Sequence, residues 1–237
     1  MRAQIFSTAS NYLDAFSHLF FPRLCFGCEE HLIDSNEFFC IDCLSELPFT
    51  GFENIRENAV EKLFWGREKI AYAFSTVYYQ EQTPVQRAVH ALKYKNQQAL
   101  GLFLGELMAV KSTDMLSVTR PDFLIPMPLH PKKQRSRGYN QATLLCRGFS
   151  KVSGIPILDN VLQRVTNTST QTHKSRIDRW ENVSDIFEIR DETVLKNKNV
   201  LLVDDVITTG ASTESCIKRL LEAGVAGAGI CSFAFTL

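Results

Sequence analysis

The sequence predicts an α/β protein, a doubly wound parallel sheet preceded by a small cysteine-rich module. Three observations carry this. Apolar, β-branched runs alternate with amphipathic helical patterns from Ile70 onward. One run, Val200 to Val203, is uninterruptedly apolar, as a strand covered on both faces must be. Four of the seven cysteines fall together between residues 25 and 43, ahead of the first strand. The 237 residues accordingly divide into a module over residues 1–50 and an α/β domain over residues 65–237.

Each element has its own signal. Tyr12, Leu13, Phe16, Leu19 and Phe20 recur at helical spacing and predict a short helix over residues 10–21, whose face lacks the Lys and Arg of a membrane-surface helix. Residues 46–68 read as irregular and mark the junction. Ile70 to Tyr79, rich in aromatic and β-branched residues, predicts a strand. Thr83-Pro84 then opens a helix with Val85, Ala88, Val89 and Leu92 on one face, and a second helix covers 97–111. Phe123 to Pro126 reads as a strand, 139–151 as a helix, Val161 to Val165 as a short strand and 174–183 as a short helix. The strand at Val200 is followed by a helix carrying Ile217, Leu220 and Leu221, with Gly224 at its C-cap, and Gly229 to Phe235 is the last strand.

Composition narrows the classes of function. Hydrophobic residues are 45% and charged residues 22%, the profile of a soluble globular chain. With 26 basic and 26 acidic side chains the formal charge is zero, so any anion site must be a local cluster. The N-terminal residues form no signal-peptide h-region, and the apolar window 99–110 contains Glu106 and is far below the ~20 residues that span a bilayer. A cytoplasmic protein without a membrane span is expected. In a reducing compartment clustered cysteines bind metal more readily than they form disulfides.

Cys25-Phe-Gly-Cys28 and Cys40-Ile-Asp-Cys43 are two C-x-x-C knuckles eleven residues apart. Paired thiolates at this spacing suit a tetrahedral structural Zn²⁺ held by Cys25, Cys28, Cys40 and Cys43, in a zinc-ribbon module. A redox C-x-x-C would stand once, at a strand–helix junction. His31 reads as a loop residue, because four thiolates already saturate the metal. Cys146, Cys216 and Cys231 lie in apolar patterns and read as core residues.

The most informative stretch is Leu201 to Ser212, a buried strand ending in Asp204 and Asp205 and followed by Thr208, Thr209, Gly210, Ala211 and Ser212 at the start of a helix. Such a turn aims backbone N–H groups and the positive end of a helix dipole at one point, which suits a phosphate. The adjacent carboxylates can accept hydrogen bonds from sugar hydroxyls or hold the shell of a magnesium ion. Phosphate beside a diol describes a ribose 5-phosphate. A Walker B strand is the rival, but no Gly-Lys pair of a P-loop occurs, and no G-x-G-x-x-G either. An ordinary strand–turn–helix junction with Asp and Thr as caps is the structural alternative.

Lys132, Lys133, Arg135 and Arg137 place four cations within six residues after a strand, where α/β sites lie. Lys174, Arg176 and Arg179 form a second cationic run and Lys93 and Lys95 a third. For Lys93 and Lys95, complementing the dipole of their own helix is an equally good reading. Three cationic groups in a neutral chain suit a ligand with a pyrophosphate at one end.

The stretch Leu201 to Ser212 resembles the 13-residue motif of the type I phosphoribosyltransferases, which bind phosphoribosyl pyrophosphate (PRPP). Taken with P-x-P-L-H-P-K from Pro126, R-G-Y-N-Q from Arg137, T-Q-T-x-K-S-R from Thr170 and the double C-x-x-C, the chain resembles the ComF family of phosphoribosyltransferase-like proteins over roughly residues 20–235. The resemblance implies a type I phosphoribosyltransferase-like sheet, with Asp204 and Asp205 on the ribose and Thr208 to Ser212 around the 5-phosphate. It implies Mg²⁺ bound with PRPP, Lys132, Lys133, Arg135, Arg137, Lys174 and Arg176 on the pyrophosphate, and transfer to an acceptor with pyrophosphate release. It also links the chain to DNA uptake in natural transformation, with protein components of that machinery and single-stranded DNA as partners. A non-catalytic nucleotide-sensing adaptor is the competing reading. Against DNA binding by the module itself, residues 25–49 contain no Lys or Arg and carry Glu29, Glu30, Asp34, Glu37 and Asp42.

Overall fold

The computed structural model describes residues 23–34, 37–165 and 186–236. The predicted helices over 10–21 and 174–183, and Lys174, Arg176 and Arg179, lie outside them. The chain forms two compact units, Met1–Leu47 and Pro48–Leu237.

In the first unit Leu24 and Leu32 bridge the two arms of a small hairpin, and the short helix α1 (Ile41–Ser45) starts at Cys40. Among its described residues Cys25, Ile33, Phe39, Cys43 and Leu47 are the buried hydrophobic ones.

The second unit is built on four parallel strands, β1 (Tyr72–Tyr79), β2 (Phe123–Pro126), β5 (Asn199–Ile207) and β6 (Gly227–Thr236), in the order β1-β6-β5-β2. β6 is central and buried along most of its length, matching its apolar sequence. β1 leads through α3 (Pro84–Tyr94), α4 (Gln98–Lys111) and α5 (Thr113–Thr119) to β2. α6 (Pro131–Arg137) and α7 (Gln141–Ser153) follow β2, and α8 (Ala211–Glu222) joins β5 to β6. The parallel sheet with helical connections is the architecture the alternation predicts.

Four features differ from the sequence reading. The Asp204–Asp205 strand does not end at the carboxylates but continues to Ile207, because Asp204 and Val206 stay in register with Ser232 and Ala234 of β6. The 161–165 strand, observed as β3 (Leu162–Arg164), lies outside the parallel sheet and pairs antiparallel with β4 (Phe187–Ile189). Its sequence Leu-Gln-Arg has one buried apolar residue followed by two half-buried polar ones, whereas a central parallel strand needs a continuous apolar run. The basic loop after β2 is a helix, α6, started by Pro131 with His130 as cap and stopped by Gly138 at φ 80°. α5 was hidden by its Ser and Thr content. The hydroxyls of Thr113, Ser117 and Thr119 bond back to Val110, Asp114 and Met115 carbonyls and hold the turn.

Residues 48–64, irregular in the sequence, are bound tightly to β1. Asn58 caps α2 (Ala59–Lys62) through its Oδ1, while its Nδ2 donates to the carbonyls of Ile55 and Ala73 at 2.8 Å each. Thr50 N and Tyr78 N exchange bonds along the outer side of β1 with Thr76 O and Pro48 O. On the opposite margin Leu124 of β2 bonds to Pro156 O and Leu158 N.

Helices α4 and α7 cross at glycines. A Cβ on Gly148 would lie 1.9 Å from the Leu102 carbonyl oxygen, and one on Gly105 2.1 Å from that of Leu145. Both obstacles are backbone, so neither can swing aside. Gly148→Ala is expected to destabilise the protein by about 1–3 kcal/mol or more, measured by denaturant unfolding, because the helices must separate. An unchanged midpoint would show that the crossing is loose.

Candidate functional site

The end of β5 carries the acidic pair. Asp205 N donates to Asp204 Oδ1 at 2.8 Å, and Lys93 Nζ, from the last turn of α3, lies 3.0 Å from Asp205 Oδ2. The ion pair is largely withdrawn from water, with side-chain exposures of 25% for Lys93 and 13% for Asp205. Loss of water, and then the neighbouring Asp205 charge, push the Asp204 carboxyl well above the usual carboxylate range.

The turn after β5 exposes Thr208 and Thr209 and reaches Gly210 at φ 74°, in the left-handed region. The Phe64 ring comes within 3.2 Å of where a Cβ on Gly210 would stand. Gly210 is the N-cap of the 12-residue helix α8 and offers no side-chain acceptor to it, so the first-turn N–H groups face outward beside exposed Ala211 and Ser212. This is the arrangement that binds anions.

Between Asp122 and Asp159 the chain carries no acid and six cations. Four are on α6, which presents three faces. Lys133, Ser136 and Arg137 join Lys93, Tyr94 and Tyr139 around a cleft of about 420 Å³. Arg137 is fixed there, donating to Gln141 Oε1 at 2.9 Å with its guanidinium 5.1 Å from the Tyr94 ring centre. Pro131, Gln134 and Gly138 border a second, polar cleft of about 430 Å³ that also takes in Arg147, Asp159 and Arg164. Lys132 and Arg135 are exposed and line neither. Of the four predicted cations, the structure thus groups Lys133 and Arg137, and adds Lys93. Sequence could not decide Lys93, since its helix-end position gives it an equally good local role; only the fold brings it to Asp205.

In the first unit the sulfurs of Cys25, Cys28, Cys40 and Cys43 all lie within 4.8 Å of one another. Backbone N–H groups point at them: Gly27 and Cys40 to Cys25 Sγ at 3.2 Å each, His31 to Cys28 Sγ and Cys43 to Cys40 Sγ at 3.5 Å each. The His31 N–H helps to draw the Cys28 thiol down to about 6, while loss of water and neighbouring sulfurs push Cys43 up. Four converging sulfurs with amide donors behind them fit a structural Zn²⁺, whose charge removes that conflict. Gly27 is required there, because a Cβ would lie 2.7 Å from both Cβ and Sγ of Cys43. His31 is exposed and outside the four-sulfur set, as expected, although it approaches Cys40 and Asp42.

Comparison with known proteins places the chain in a family. Residues 143–236, which run from α7 to β6, match the phosphoribosyl transferase domain family. Competence protein F of Haemophilus influenzae is 32% identical over 217 residues, covering 88% of each chain. The chain belongs to the ComF family. The ComF relatives include competence protein ComFC of Bacillus subtilis, 32% identical over 110 residues that cover 46% of this chain and 42% of that one. They also include the DNA utilization protein YhgH of Salmonella typhi, 30% identical over 149 residues, covering 60% of this chain and 63% of that one. Among solved structures, the glutamine PRPP amidotransferase from B. subtilis is similar with 16% identity and a TM-score of 0.44, over 61% of this ComF chain and 30% of that one. No described helix of this ComF-family protein is long and apolar enough to cross a membrane.

The Asp204 carboxyl sets a pH dependence. Its folded pKa lies above the unfolded ~3.9, so the folded state takes up the proton more readily. Its ionisation therefore destabilises the fold progressively as pH rises from about 4 through the folded pKa. Asp204→Asn is expected to raise the melting temperature at pH 7, with the gain vanishing near pH 4. A lower melting temperature at pH 7 would show that the charged form is stabilised in the fold.

Proposed function

We propose that this ComF-family protein binds PRPP with Mg²⁺ and transfers its phosphoribosyl group to an acceptor, releasing pyrophosphate. The single observation that carries the reading is the acidic pair followed at once by the uncapped N-terminus of α8, with a cationic cleft reached by Lys93 from the same pair. Asp204 and Asp205 accept hydrogen bonds from the ribose hydroxyls, and Thr208 to Ser212 hold the 5-phosphate on backbone N–H groups and hydroxyls. Lys133 and Arg137, with Lys174 and Arg176 from beyond the described residues, take the pyrophosphate; Lys132 and Arg135 add to the local positive potential. Magnesium, for which the carboxylate and phosphate oxygens are suitable hard ligands, neutralises charge on the leaving group when bound. The anomeric carbon passes through an oxocarbenium-like state, so positioning and charge stabilisation are the protein's main contribution.

The four-cysteine module carries a structural zinc in this reading. Acidic and without Lys or Arg over residues 25–49, it serves protein contacts better than nucleic acid. The names competence protein F and DNA utilization protein, borne by relatives, support a cytoplasmic role in handling incoming DNA.

Calorimetry with Mg-PRPP tests the central reading, followed by a screen of nucleobases and amines for pyrophosphate release. Asp204→Asn with Asp205→Asn is expected to remove measurable PRPP and ribose 5-phosphate binding, since each charge-assisted bond is worth about 10- to 100-fold in affinity. Arg137→Ala should weaken PRPP much more than ribose 5-phosphate, which lacks the pyrophosphate. Unchanged PRPP affinity in the double variant would end the reading. For the module, protein purified without added zinc should hold about one Zn²⁺ per chain, and Gly27→Ala should lower that content by crowding Cys43. Metal analysis near zero for the unaltered protein would refute the zinc.

A further inference from the structure

We infer that Lys93 is the resident counter-ion of Asp205 and exchanges that carboxylate for pyrophosphate oxygens when PRPP binds. The inference rests on the PRPP reading and assigns a positioning residue to it. Three observations support it. Lys93 Nζ lies 3.0 Å from Asp205 Oδ2 in a pair mostly withdrawn from water. The same side chain borders the cleft of Lys133, Ser136 and Arg137, so one cation touches both halves of the site. Among the described residues no other cation forms an ion pair with either carboxylate.

The chemistry of the residue suits an exchange. A lysine ammonium is a compact charge on a flexible four-carbon stem, free to turn between two anions. Arg137, held by Gln141 and lying over Tyr94, is fixed by comparison. Lys93 occupies lone pairs on Asp205 Oδ2 for which ribose hydroxyls would compete. Freeing those lone pairs strands a cation at the edge of the cleft unless an anion arrives there. Ribose and pyrophosphate binding are therefore coupled through one side chain, and the coupling is reciprocal. Ribose 5-phosphate alone must break the ion pair without replacement, whereas PRPP brings the replacement with it.

The test is calorimetry of ribose 5-phosphate, Mg-pyrophosphate and Mg-PRPP with the unaltered protein, Lys93→Gln and Lys93→Arg. Lys93→Gln removes the charge at similar length. It is expected to bind ribose 5-phosphate as tightly or severalfold tighter, and Mg-pyrophosphate and Mg-PRPP roughly 10-fold or more weakly. Lys93→Arg keeps the charge and should recover much of the pyrophosphate affinity, so it remains informative if Lys93→Gln does not fold. A pair that merely braces the structure predicts equal weakening of all three ligands by Lys93→Gln, and that outcome overturns the exchange. Unchanged pyrophosphate affinity overturns it too, as does an arginine variant that folds and binds no better than the glutamine one. An unaltered protein that binds none of the three refutes the PRPP reading itself, and the exchange with it.

Discussion

Two like charges at the end of a mostly buried strand are the constraint around which the second unit is organised. Asp204 and Asp205 cannot both ionise freely where water is scarce, and each part of their surroundings answers that problem. The Asp205 N–H turns back to Asp204 Oδ1, and α3 ends where Lys93 reaches Asp205. The register with β6 keeps the strand extended past both residues. An apolar residue pair would satisfy the sheet better.

The rigidity behind that site comes from elsewhere. The α4–α7 crossing, set by Gly105 and Gly148, fixes α7 against β2 and β5. At the other end of α7, Asn140 caps the helix and donates to Met127 O just past β2, while Tyr139 donates to the Leu92 carbonyl next to Lys93. Backbone contacts too close for a methyl group thus connect, through a few hydrogen bonds, to the cations of the cleft. The short segment at Asn58 does the same for β1 and brings Phe64 against Gly210.

How much was legible in the sequence follows from how local each signal is. The β5 run, the Thr83-Pro84 start, the Cys pairs and the Asp-Asp–Thr-Thr-Gly stretch announce themselves within a few residues, and the four sulfurs and the uncapped helix were found where those signals put them. What sequence could not give is pairing across distance. Leu162–Arg164 looks like any short strand until β4 is seen beside it, and Lys93 looks like a helix-end lysine until Asp205, far along the chain, arrives at 3.0 Å. Lys132 to Arg137 read as one cluster, yet a helix sends its side chains in several directions, so Lys133 and Arg137 border one cleft while Lys132 and Arg135 border neither. Asn58, the cap that ties residues 48–64 to β1, sits in a stretch with no periodicity at all.

The margins of the parallel sheet have a consequence for how this protein meets others. Residues 48–50 bond along the outer side of β1 and residues 156–158 along that of β2, so the rows of N–H and C=O groups at both borders are already engaged in part. A partner peptide therefore finds little template on which to extend the sheet by adding a strand. Side chains on helices and turns stay open to solvent instead, among them those of α6, which buries none of its residues. Affinity built from such cations weakens as ionic strength rises, which lets salt, instead of strand exchange, govern how long a complex lasts.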